Sequence, residues 1–76
     1  MTFRKINNVF FVGIGGIGMS GIAELLMNLG FDVSGSDINE NENVKRLKKM
    51  GVSVIIDHNP HNITNNIDVL VYSSAV

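Results

Sequence analysis

The chain has 76 residues, 45% of them hydrophobic and 17% charged, with a formal net charge of -1 and no cysteine. That length allows one domain, which buries only about 60% of the surface its unfolded chain exposes, and the near-neutral balance gives no field to draw nucleic acid or an anionic membrane, so any phosphate binding must be local. Disulfides and thiolate metal sites are excluded; no apolar run reaches the roughly eighteen residues of a membrane span, Met1 to Ile6 lacks the layout of a signal peptide, and a cytoplasmic protein fits these features.

Met1 to Asn8 is polar and leads into the first strand. Val9 to Ile14 is a nearly continuous apolar run, as in a parallel strand covered on both faces. It breaks into glycines, and Gly13, Gly15 and Gly18 fit G-x-G-x-x-G. In a dinucleotide-binding βα turn the first glycine allows the tight turn, the second lets backbone approach a diphosphate, and the third lets the helix lie close on the sheet. The N–H groups at the helix start then face the anion, helped by the helix dipole, equivalent to roughly half a positive charge. A phosphate-bearing ligand is the expected guest, and a turn that merely packs a helix on a strand is the bland alternative.

From Ile17 the positions Ile22, Leu25, Leu26 and Leu29 trace the stripe of an amphipathic helix, which Gly30 stops. Met19 and Met27 read as packing residues, and Ser20 as a first-turn residue near the phosphate or one that satisfies backbone groups. Phe31 to Asp37 alternates apolar and polar, giving a second strand whose carboxyl end carries Ser36 and Asp37 beside the glycine loop. Asp37 follows Gly18 by nineteen residues, close to the spacing of the acid that accepts ribose hydroxyls; an N-cap for the next segment is its alternative. Ile38 to Asn43 reads as a mobile polar loop. Val44, Leu47 and Met50 then mark one face of a second helix closed by Gly51, with Lys45, Arg46, Lys48 and Lys49 on its solvated faces.

Val52 to Ile56 is a third strand. Pro60 turns the chain after it, and His58 and His61 lie beside Asp57 without the further ligands of a metal site. His58 follows a strand's carboxyl end, where open α/β sheets place their crevice, so it reads either as a ligand contact or as an ordinary loop histidine. Ile67 to Tyr72 is a fourth strand, and Ser73 and Ser74 at its end face the glycine loop across the switch point. The fold class is therefore α/β, a Rossmann-like parallel sheet of order 3-2-1-4 with flanking helices. It is truncated after the fourth strand, with apolar surface beside that strand left uncovered, so residues 1–76 read as a single domain from a larger protein.

Taken together, the block from Gly13 to Ala23, then Ser34-Gly35-Ser36-Asp37, then Ser73-Ser74-Ala75 closely resemble the amino-terminal domain of the Mur ligases, in the branch that joins L-alanine to UDP-N-acetylmuramate. The resemblance covers nearly the whole chain, and Asp57 departs from the glycine expected before His58. It implies a three-domain enzyme of peptidoglycan synthesis in which ATP and magnesium sit in the central domain. There the substrate carboxylate is phosphorylated and then attacked by the amine of alanine, while the amino-terminal domain, which this chain resembles, holds UDP. On that resemblance Gly15, Gly16, Ile17 and Gly18 offer amides to the diphosphate, Asp37 takes a ribose hydroxyl, and Ser73, Ser74 and His58 line the site.

No G-x-x-x-x-G-K-[ST] loop occurs in the sequence, so no catalytic residue, metal or ATP site is assigned to this chain, which alone is expected to be inactive. Its partners would be UDP-N-acetylmuramate and the other two domains in cis, with neither nucleic acid nor membrane. Two other readings stay open on the residues themselves. One is the NAD(P)-binding domain of an oxidoreductase, since both ligands bring a diphosphate and a ribose; the other is a nucleotide-sensing module without an attached enzyme.

Overall fold

The computed structural model describes residues 7–57 and 66–72. Within them the order is β1 (Asn8–Val12), α1 (Ile17–Asn28), β2 (Asp32–Asp37), α2 (Glu42–Lys49), β3 (Ser53–Ile56) and β4 (Val69–Tyr72). The strands form one parallel sheet in the order β3-β2-β1-β4, as the sequence predicts. Central β1 pairs on both edges, with Phe11 opposite Gly35 of β2 and Val71 of β4. Alternation along the strands puts Val9, Phe11 and Val33 on the face that carries both helices, where they join Ile14, Ala23, Val44, Leu47 and Val52 in one buried cluster.

The strands are shorter than their apolar runs because flanking polar groups take over the hydrogen bonding. β1 stops at Val12 because the Gly13 and Ile14 N–H groups both turn to the Ser36 carbonyl, at 2.8 and 3.0 Å. β4 starts at Val69 because Asp68 is occupied just before it: its Oδ2 accepts from the backbone N–H of Asn7 and Asn8, at 3.0 and 2.9 Å. Both helices end at glycines with positive φ, Gly30 at +97° and Gly51 at +101°.

Two readings of the sequence change. Of the expected α1 stripe only Leu26 packs on the core: Ile22, Leu25 and Leu29 are 48%, 57% and 65% exposed, whereas Ser20 and Ala23 are buried and flanked by Met19, Leu26 and Met27. Small side chains at 20 and 23 let the helix approach the sheet, and the two methionines fill the flanks as expected. The supposed loop from Ile38 to Asn43 is held rather than free. Asn41 caps α2 by accepting the Val44 N–H at 2.9 Å, so the helix begins at Glu42, and Glu40 accepts from Lys48 at 2.9 Å.

Three of the four cations of α2 are paired locally, Lys45 with Glu42, Arg46 with Glu24 of α1, and Lys48 with Glu40. Leu70 and Tyr72, alternating with the half-buried Val69 and Val71, are exposed apolar surface on β4. Among the described residues no helix is long and apolar enough to cross a membrane.

Gly35 is the tightest point of the sheet. A Cβ there would lie 2.6 Å from the Phe11 carbonyl oxygen and 2.8 Å from Ile14 Cδ1. Gly35→Ala should therefore lower unfolding stability by ~1–3 kcal/mol, read from the urea midpoint. A second outcome concerns charge. The Lys48 ammonium, through its hydrogen bond and its charge, holds the Glu40 carboxyl below its ordinary value. A lowered carboxyl contributes stability above its unfolded pKa and loses it as pH falls through the folded one. Lys48→Met should move the Glu40 midpoint back up toward the ordinary glutamate range in an NMR pH titration.

Candidate functional site

The site is built on the turn from β1 into α1. Gly13, at φ +78°, takes the chain through a left-handed step that side chains rarely adopt, so the first glycine of the motif makes the tight turn as expected. Its carbonyl then accepts the Gly16 N–H at 3.1 Å, and the first helical bond runs from the Ser20 N–H to the Gly16 carbonyl at 2.8 Å. Gly16 is the N-cap, so no side chain caps the helix, and its first turn has no acidic residue. Among the described residues the N–H groups of Ile17, Gly18 and Met19 consequently have no hydrogen-bond partner. They are the unsatisfied donors that every helix start leaves, and here no acidic side chain of the first turn offsets the positive end of the dipole.

The second glycine has a structural role beside the one its spacing suggests. Its N–H donates to Asp37 Oδ2 at 2.7 Å, and a Cβ at Gly15 would lie 2.7 Å from Val44 Cγ2, 2.8 Å from that same oxygen and 2.9 Å from Asn41 Oδ1. Gly15 is needed because the end of β2 and the start of α2 close upon it. The third glycine departs from its expected role: among the described residues a Cβ at Gly18 meets nothing within 4 Å, so it is not where α1 packs on the described sheet. Close packing of α1 comes instead from Ser20 and Ala23.

Asp37 sits half-buried at the end of β2. Besides the Gly15 N–H on Oδ2, its Oδ1 accepts the Asn39 N–H at 3.0 Å. Each carboxylate oxygen offers about two acceptor positions, so capacity for a hydroxyl remains. The N-cap of α2 is Asn41, so that alternative for Asp37 does not hold. Asn41 and Asn43 both donate their Nδ2 groups to the Gly15 carbonyl, at 3.1 and 3.0 Å. The asparagine-rich stretch reads from sequence only as polar, although Asn41, three residues before the buried Val44, carries the spacing of a cap.

Two clefts meet at the turn. One, of about 870 Å³, opens between the α1 start and the ends of β1 and β4, with Gly16, Ile17, Gly18, Val12 and Tyr72 on its walls. The other, of about 230 Å³, lies on the β2 side against Ser36, Asp37, Ile38 and Asp57. Val12 and Gly13 belong to both, so the free amides and Asp37 lie in adjoining clefts on either side of the β1 end, where this topology places its crevice. A further cavity of about 420 Å³ lies at the amino ends, beside Asn8 and Asp32, away from the glycine turn.

Of the residues expected from sequence, Ile17 and Gly18 present free amides, Gly15 and Gly16 spend theirs inside the turn, and Asp37 lies next to them. His58, Ser73 and Ser74 lie outside the described residues. Alanine substitutions should separate the two glycines. Gly15→Ala should cost ~1–3 kcal/mol of stability through overpacking, whereas Gly18→Ala should raise stability by up to about 1 kcal/mol through helix propensity alone. Thermal or urea unfolding of the two variants reads both signs.

Comparison with known proteins supplies the context for this geometry. The model of the Mur ligase family, catalytic domain, matches residues 8–76. The chain is 53% identical over 76 residues to a UDP-N-acetylmuramate--L-alanine ligase of Aquifex aeolicus, covering 100% of this chain and 16% of that protein. Against the enzyme of the same name from Nitrobacter winogradskyi it is 56% identical over 73 residues, 96% of this chain and 15% of the relative. The crystal structure of a UDP-N-acetylmuramate-alanine ligase from Thermotoga maritima superposes with a TM-score of 0.83 at 39% identity, over 91% of this chain and 16% of that one. The chain thus spans about 16% of the length of such relatives.

Proposed function

The chain belongs to the Mur ligase family, and from that premise we propose that it holds the UDP end of UDP-N-acetylmuramate in a ligase that adds L-alanine during cytoplasmic peptidoglycan synthesis. The observation that carries this reading is the set of Ile17, Gly18 and Met19 amides, unpartnered among the described residues, at an uncapped helix start whose cleft adjoins the one lined by Asp37. A diphosphate supplies the negative charge those amides lack, and its neighbouring ribose brings hydroxyls to a carboxylate that already faces the turn. In a protein of net charge -1, oriented backbone dipoles do this without a basic surface.

On this reading the chain contributes binding and positioning. Contacts to a nucleotide far from the reacting carboxylate hold that group in place, converting a bimolecular encounter into an oriented one. ATP and magnesium belong to the proposed reaction of the whole ligase, and no step through them is assigned to residues of this chain, which has no lysine-bearing phosphate loop. Further domains in cis would supply that chemistry. The nicotinamide-dependent reading draws no support from relatives that are named as ligases.

Titration of the isotopically labelled chain with UDP-N-acetylmuramate, UDP and NAD tests the proposal. The Ile17, Gly18 and Met19 amides should shift with both UDP ligands and stay unmoved with NAD. Gly18→Ala, which places a methyl in the open space before those amides, should weaken UDP binding on the order of tenfold. Shifts with NAD alone, or a folded chain silent to both UDP ligands, would overturn the assignment.

A further inference from the structure

The amides that a helix start leaves free depend on where the helix begins, and here that point is set from outside the helix. Had the Gly15 carbonyl been released and Gly16, now extended at φ −63° and ψ 153°, turned to helical angles, the Met19 N–H would be its i to i−4 partner, α1 would begin one residue earlier, and the free donors would be Gly16, Ile17 and Gly18. The Gly15 carbonyl is not available. Its oxygen accepts Asn41 Nδ2 at 3.1 Å and Asn43 Nδ2 at 3.0 Å, which fills both lone pairs. The same residue's N–H is held by Asp37. Both polar groups of Gly15 are therefore committed to side chains from the end of β2 and the start of α2.

We infer that Asn41 and Asn43 are positioning residues for the anion site: by occupying the Gly15 carbonyl they keep the Met19 N–H free and so set the register of donors that the α1 start presents to phosphate. This rests on the reading of the turn as a phosphate site. Asn41 is the firmer of the two, because its carboxamide is used at both ends, Oδ1 accepting from Val44 N–H while Nδ2 donates to Gly15. Rotation of that group would break the cap and the clasp together. The two donors also turn the negative end of the Gly15 carbonyl dipole toward α2. They are neutral, so they do this without adding a charge to the site.

The test pairs a measurement without ligand with one that uses inorganic pyrophosphate. Asn41→Ser with Asn43→Ala keeps a capping oxygen for Val44 and removes both carboxamide donors. Amide hydrogen exchange at Met19, fast in the parent chain, should slow about tenfold or more as that N–H gains the Gly15 carbonyl. Pyrophosphate affinity, followed by the shifts of residues 16–19, should fall about tenfold. Asn43→Ala alone leaves the cap untouched and should move both readouts in the same direction by less, which keeps the inference testable if the double variant does not fold.

Unchanged Met19 exchange in a folded variant overturns the inference. Slowed exchange with unchanged pyrophosphate affinity overturns it as well, leaving the asparagines a purely structural role. A parent chain that binds no pyrophosphate removes the phosphate reading, and Met19 exchange then judges the register claim separately.

Discussion

The hydrogen bond from the Gly15 N–H to the Asp37 carboxylate, 2.7 Å long, is the contact on which the arrangement of the turn depends. It joins the middle of the glycine loop to the end of the neighbouring strand, and the same carboxylate reaches the Asn39 N–H, so the chain leaving β2 is turned toward α2 by the group that holds the loop. Hydrogen bonds to an ionised acceptor are roughly twice as strong as neutral ones. With Asn41 and Asn43 on the Gly15 carbonyl, the glycine loop and the stretch from Asp37 to Asn43, distant in sequence, become one polar knot above the carboxyl ends of the strands.

Beneath that knot is an apolar seat. Ile14 is fully buried and lies over Gly35, whose missing side chain leaves the room, while Phe11 contributes the carbonyl that closes the other side. The turn is thus held from below by packing and from above by side-chain hydrogen bonds. A rigid loop of this kind presents preformed donors, so a bound anion meets dipoles that need not reorganise. Three cations of α2, Lys45, Arg46 and Lys48, are spent in ion pairs with Glu42, Glu24 and Glu40, so the positive field near the turn comes from the helix start.

Apart from Ile38 and the β3 residues Ile55 and Ile56, the large apolar residues that the fold leaves in water lie on one side of the molecule. Ile17, 90% exposed, and Tyr72 stand at the cleft, and Ile22 lies on its wall. Leu25 and Leu29 extend the same flank of α1. Helix periodicity alone reads Ile22, Leu25 and Leu29 as the packing stripe, yet the sheet accepts the narrow face of Ser20 and Ala23. Volume decides: a helix over strands carrying Val9, Phe11 and Val33 comes closest where its own side chains are small.

Much of the architecture was legible along the chain. Continuous apolar runs mark covered parallel strands, glycines mark the helix stops, the three-residue steps of Val44, Leu47 and Met50 mark the buried face of α2, and right-handed crossovers then leave few strand orders. These are local or chain-wide rules, so the sequence by itself determined the element order, the parallel 3-2-1-4 sheet and the existence of an uncapped helix start after β1. Which donors stay free was decided only by the tertiary structure. Gly15 meets partners 22, 26 and 28 residues away, and no local pattern encodes that Asp37 takes its N–H or that Asn41 and Asn43 take its carbonyl. The physical reason is that a hydrogen bond needs two groups within about 3 Å in a fixed orientation, a condition met only once β2 and α2 have packed against the turn.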